Sequence, residues 1–160
     1  MPGVAKRWTN FHVWKGKLPH WRADGVTYFV TFRHSRELDD DERRILFAHL
    51  LRPQARRWDL QVLCVLPKMT ELIFTVRQAA TGRPFELSDI VERAKKKAGK
   101  AIVKKTGERW PPFFNESFDR IIRDESEFKE RWEAVVGAPC IEGLTQEPES
   151  YDTLFVHGHA

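Results

Sequence analysis

The residues whose types and spacing point to chemistry in this chain are mostly cations. Between Ser88 and Gly107 stand Arg93, Lys95, Lys96, Lys97, Lys100, Lys104 and Lys105, opposed only by Asp89 and Glu92 near the start of the run. A helix charged so one-sidedly repels itself in isolation, whereas a merely solvated face is usually mixed in sign. The pattern therefore points to phosphate binding. The first 25 residues set Trp8, Phe11, Trp14 and Trp21 among Lys6, Arg7, Lys15, Lys17 and Arg22. Two readings of that arm stand: an element that stacks on bases and clamps phosphates, or a strap whose tryptophans close a sheet edge. His157-Gly158-His159 has metal-like spacing, but it sits at a chain end with no strand pattern around it, where mobility is usual. It is not counted as a metal site. Cys64 and Cys140 form neither a metal-ligand pair nor a disulfide framework, and Cys64, inside an apolar strand pattern, reads as a buried free thiol. His12, His20, His34 and His49 are scattered and read as surface or boundary residues.

The elements that must position these groups are organised around one stretch, 62–76. Val62, Cys64 and Leu66 alternate with Leu63 and Val65 up to Pro67-Lys68. Leu72, Phe74 and Val76 then alternate with Ile73 and Thr75. A hairpin this apolar belongs in the middle of a sheet. Upstream, residues 26–33 alternate in the same way and are rich in β-branched and aromatic types, so they predict a strand. Asp39, Asp40, Asp41 and Glu42 place acidic groups where they cap and complement a helix with an inner stripe of Ile45, Leu46, His49 and Leu50, ending by Pro53. Residues 78–85 read as a loop. Ser88 caps the basic helix, whose buried stripe is Ile90, Val91, Ala94, Ala98, Ala101 and Ile102. Trp110-Pro111-Pro112-Phe113-Phe114-Asn115 is a rigid connector, and 118–123 a short strand. A last helix over 124–136 carries Phe128, Trp132, Val135 and Val136, with Gly137 as its cap and Pro139 preventing continuation. The order strand, helix, hairpin, helix, strand, helix predicts an α+β fold. It is a ferredoxin-like (RRM-like) antiparallel sheet of four to five strands, with helices packed mainly on one face. The expected organisation is an arm over 1–25, a domain over 26–144 and a tail over 145–160.

At 160 residues, 41% hydrophobic and 31% charged, the chain has the balance of one soluble domain. Its net charge of +4 permits an acidic partner without demanding one. No run approaches the roughly 20 apolar residues of a membrane span, and no signal peptide is evident. The expectation is a reduced, cytoplasmic protein.

Several stretches together resemble the bacterial REP-associated tyrosine transposases, relatives of the single-tyrosine, HUH-type transposases of insertion sequences. They are Leu18-Pro19-His20-Trp21, Tyr28-Phe29-Val30-Thr31-Phe32-Arg33, Val65-Leu66-Pro67, Phe118-Asp119-Arg120-Ile121-Ile122-Arg123-Asp124, and Gly137-Ala138-Pro139 through Gly143-Leu144. The resemblance runs from about Leu18 to Leu144 in family order. It implies DNA strand cleavage and joining. Two histidines flanking a hydrophobic residue hold a divalent metal such as magnesium or manganese, and a tyrosine on the last helix attacks the phosphate.

This chain departs from that pattern at the catalytic positions. Met69 and Glu71 stand where the histidines would be, with Lys68 adjoining, and the nucleophile position falls at or near Ala134. A thioether is a poor ligand for hard cations, and one carboxylate holds them weakly. The only tyrosines are Tyr28 and Tyr151. The resemblance therefore implies a catalytically inactive, domesticated protein, free in the cytoplasm or associated with the nucleoid, with no cofactor, a monomer or homodimer, that holds hairpin or single-stranded DNA. RNA remains open as a ligand. Phosphate contacts are expected from Arg93, Lys95, Lys96, Lys97, Lys100, Lys104 and Lys105, with Lys68, Arg120 and Arg123. Two alternatives stand beside it: residual strand cleavage using Glu71, and a protein-interaction subunit that no longer meets nucleic acid.

Overall fold

The computed structural model describes residues 26–52, 58–76 and 87–157. The aromatic-basic arm, the 78–85 loop and Gly158-His159 lie outside the described residues. Among the described residues five strands form one sheet: β1 (Thr27–Arg33), β2 (Trp58–Val65), β3 (Met69–Val76), β4 (Phe118–Ile122) and β5 (Leu154–Val156). Their spatial order is β4-β1-β3-β2-β5, and every described neighbour pair is antiparallel. The first four strands take the ferredoxin-like order expected of a split βαβ unit.

The hairpin alternation becomes two cores. Val62, Cys64, Leu66 and Ile73 face one side of the sheet, while Leu63, Val65, Leu72 and Phe74 face the other. A bulge between Leu60 and Val62 shifts the register by one, which is why Leu60 joins the core of Leu63 rather than that of Val62. Helices α1 (Asp40–Leu51) and α2 (Leu87–Thr106) cover the Leu72 side through Leu46, Leu50, Ile90, Ala94 and Ala98. Helix α3 (Glu125–Ile141) crosses the opposite side through Phe128, Trp132, Val135 and Val136. Two of the three described helices thus share a face.

Local chemistry explains the helix ends. Asp39 accepts from the Glu42 amide at 2.8 Å while the Glu42 carboxylate accepts from the Asp39 amide at 3.0 Å, a complete capping box. The basic helix begins at Leu87, so Ser88 lies within it rather than before it. The end expected for α3 at Gly137 is corrected: the helix runs through Pro139 to Ile141. Pro139 is buried on the core side, which offsets its missing amide. The stop lies at Gly143, with φ near +73°. There the Gly143 amide donates to the Cys140 carbonyl and the Leu144 amide to the Pro139 carbonyl, a Schellman closure.

The chain continues past Leu144. Beyond it, Tyr151, Leu154 and Val156 are buried in the α3-side core and β5 pairs with β2, so the tail completes the sheet. Three residues of strand carry too little alternation to announce themselves in sequence. No helix among the described residues is long and apolar enough to cross a membrane.

Candidate nucleic-acid interface

Helix α2 sorts its cations by angle. At 100° per residue, Ile90, Val91, Ala94, Ala98 and Ile102 define the buried arc, and Arg93, Lys96, Lys97, Lys100 and Lys104 fall within a separate arc of about 100°. All five are exposed, and none forms an ion pair with a described residue. At 1.5 Å per residue the stripe runs about 16 Å.

Two of the seven expected cations leave this face. Lys95 is 5% exposed: its Nζ donates to the Phe114 carbonyl at 2.9 Å and sits 4.7 Å above the Phe32 ring. Burial pushes its pKa below the usual lysine range. Lys105 turns toward α1, where it donates to Asp41 at 3.1 Å. The remaining expected contacts do not join the stripe. Lys68, on the β2–β3 turn, lies 3.6 Å from Glu37. Arg120 is in register with Phe29, so it points to the α3 side of the sheet, and it donates to both carboxylate oxygens of Glu127 at 3.0 Å. Arg123 is exposed just beyond β4.

The positions matched to the family's catalytic groups lie on the α3 side, across the sheet from the stripe. Met69 packs against the core containing Trp132. Glu71 stands between Thr31 and Cys64 in register. Its pKa is raised, first by burial and then by Glu142, against the opposing pull of Arg131. Ala134 is exposed on the flank of α3 that also carries Arg131 and Ala138. Ala138 packs against the same core as Met69, and the Arg131 guanidinium lies 5.0 Å above the Phe29 ring. The three positions therefore share a side of the sheet. Their donor set does not fit a hard cation: the Met69 thioether is given to packing, and Glu71 is a carboxylate already disfavoured as an anion. Among the described residues no group of three His, Cys, Asp or Glu is placed to hold a metal ion. Of the His157–His159 pair, His157 is exposed and His159 lies outside the described residues.

Both tyrosines are structurally committed. Tyr28 packs on Phe74, ring centroids 5.9 Å apart, on the face opposite α3. The Tyr151 hydroxyl donates to the Val65 carbonyl at 3.0 Å, and burial pushes its pKa up to about 12.

His34 is not the surface or boundary residue expected. It is 6% exposed and joins three segments. Because a carbonyl only accepts, Nδ1 donates to Pro67 at 2.8 Å, which leaves Nε2 to accept from the Thr70 hydroxyl at 2.9 Å. Its own amide donates to the Lys68 carbonyl, and its ring meets Phe113 edge-on at 5.8 Å. Burial depresses its pKa to about 4, opposed by the Pro67 hydrogen bond and assisted by the charge of Lys95. Nothing in sequence marks a lone histidine for such a post.

The 110–115 connector is docked against α2 and the end of β1. The Ser35 amide donates to the Pro112 carbonyl at 2.9 Å and the Phe114 amide to the Arg33 carbonyl at 3.2 Å. At Gly99 an added Cβ would meet Pro111 Cβ at 2.8 Å, so helix and connector touch where only hydrogen fits. Between them lies a groove of about 520 Å³.

No protein-family model matches this chain, and no curated protein sequence does. Among solved structures it is similar to a REP-associated tyrosine transposase bound to a REP hairpin, with a TM-score of 0.66 and 15% identity over 85% of this chain and 79% of that one. At that identity the likeness is one of fold, and the fold of this chain is that of a REP-associated tyrosine transposase.

Proposed function

We propose that this protein binds hairpin or single-stranded DNA through the outer face of α2 and does not cut it. The observation that carries the reading is the stripe Arg93, Lys96, Lys97, Lys100 and Lys104, five exposed cations without an ion-pair partner among the described residues. Charges gathered on one arc repel one another, and an anionic strand along them relieves that repulsion. The fold supports the same reading, since the similar transposase is one bound to a DNA hairpin. Loss of cutting rests on Met69 and Glu71 in place of metal-binding histidines, and on Ala134 where the nucleophile would stand. No hydroxyl lies at that position to form a phosphodiester-exchange intermediate.

The test mixes the protein with labelled hairpin and single-stranded oligonucleotides, with and without manganese, and follows binding and strand integrity together. Salt-sensitive binding with intact DNA is expected. A covalent adduct or cut strand that disappears in Glu71→Ala would overturn the inactive reading. An absence of binding to either DNA at about 50 mM salt, where electrostatic contacts are strong, would overturn DNA binding itself.

A further inference from the structure

We propose that the groove between α2 and the 110–115 connector is a stacking subsite for unpaired bases of DNA. This inference rests on the DNA-binding reading and adds to it a reason for preferring unpaired strands.

Trp110 is 70% exposed and Phe114 is 52% exposed, although Phe113 between them is turned inward against Phe32 and His34. Both exposed rings line the groove, together with Pro111, Lys96 and Asn115. A volume of about 520 Å³ lies within the roughly 300–1,000 Å³ typical of small-ligand sites.

The rings stand on a rigid base. Lys95 holds the Phe114 carbonyl from below, and the Gly99–Pro111 approach fixes the connector against the helix. An aromatic surface held in place this way loses little conformational entropy when a base stacks on it.

Placement chooses the occupant. Lys96 belongs to both the groove and the stripe, so a strand whose phosphates follow α2 brings its bases beside the aromatic rings. Glu92, also at the groove, is paired with Lys95 at 3.5 Å, so its charge is offset there, and the aromatic rings make a base the part that enters. The Asn115 amide offers both a donor and an acceptor to a base edge. Stacking is tolerant of sequence because every base has a π-face. Paired bases, stacked within a duplex, cannot enter.

The test compares an oligodeoxythymidine of roughly 12 nucleotides, within the span such sites cover, with a blunt duplex. Wild type, Trp110→Ala, Phe114→Ala and Trp110→Phe are each measured. The alanine variants should lose on the order of tenfold in single-strand affinity per base unstacked. Their salt dependence and duplex affinity should stay unchanged, and Trp110→Phe should recover most of the loss. Unaltered single-strand affinity in both alanine variants would overturn the subsite, as would an equal loss toward single strand and duplex. Either of those results leaves the α2 stripe as the DNA face, provided neutralising it still weakens binding. If wild type binds neither DNA, the DNA-binding reading fails and the subsite with it.

Discussion

Neutralising the middle of the α2 stripe gives the most quantitative expectation. The perturbation is Lys96→Gln, Lys97→Gln and Lys100→Gln together, which leaves Arg93 and Lys104. These three side chains are exposed and form no ion pair with a described residue, so the fold should tolerate their loss. Surface changes of this kind usually shift stability by no more than about 0.5 kcal/mol each. With five cations over about 16 Å, and one phosphate per about 3.4 Å of a strand, up to five phosphates can be neutralised. On single strands each contributes about −0.7 to the slope of log affinity against log salt. The slope should therefore fall from about −3.5 in wild type to about −1.4 in the triple variant. Between about 50 and 200 mM salt, wild-type affinity should drop roughly 130-fold and the variant only about 7-fold. Fluorescence anisotropy of a labelled single strand over a salt series reads this directly. Lys105→Gln serves as the contrast: Lys105 is held by Asp41, so its loss should move the slope less than loss of any stripe residue. A triple variant with the wild-type slope would refute the reasoning and move the DNA face elsewhere, to the side of the sheet that carries Arg120.

Two further predictions concern the scaffold. His34 is buried neutral with its pKa lowered from 6.5 to about 4, so the unfolded chain binds its proton more readily than the folded one. Its contribution is complete above pH 6.5 and is lost as pH falls toward 4, worth roughly 3 kcal/mol in all; an imidazole NMR titration with its midpoint near 6.5 would contradict this. Gly99→Ala should destabilise, although alanine in a helix interior is ordinarily favoured by about 1 kcal/mol. The new Cβ would fall 2.8 Å from Pro111 Cβ and 3.0 Å from its Cγ, in a rigid ring. Such overpacking costs about 1–3 kcal/mol, and a raised urea midpoint would show that helix and connector are not in contact.

What the sequence determined by itself is what depends on neighbours in the chain. Alternation around Pro67-Lys68 sorts the hairpin into two faces, and Asp39 with Glu42 marks a helix start, because those interactions span only a few residues. The periodicity of α2 likewise places Arg93, Lys96, Lys97, Lys100 and Lys104 on one arc before any packing is known. Tertiary structure decided the rest. Lys95 and Lys105 carry the same charge as their neighbours, yet the Phe114 carbonyl and Asp41, respectively 19 and 64 residues away, claim them. Leu154 and Val156 form a strand because β2 offers them an unpaired edge over an apolar core. Pro139 stays helical because its ring is buried and Gly143 supplies the left-handed turn that closes the helix later. The widest gap concerns where the basic helix lies relative to the Met69–Glu71 positions. The basic stripe and the Met69–Glu71 positions lie on opposite sides of the sheet, since α2 and α3 pack on opposite faces. Which face a helix covers is settled by where its apolar arc finds a complementary surface, and no local pattern in the chain records that choice.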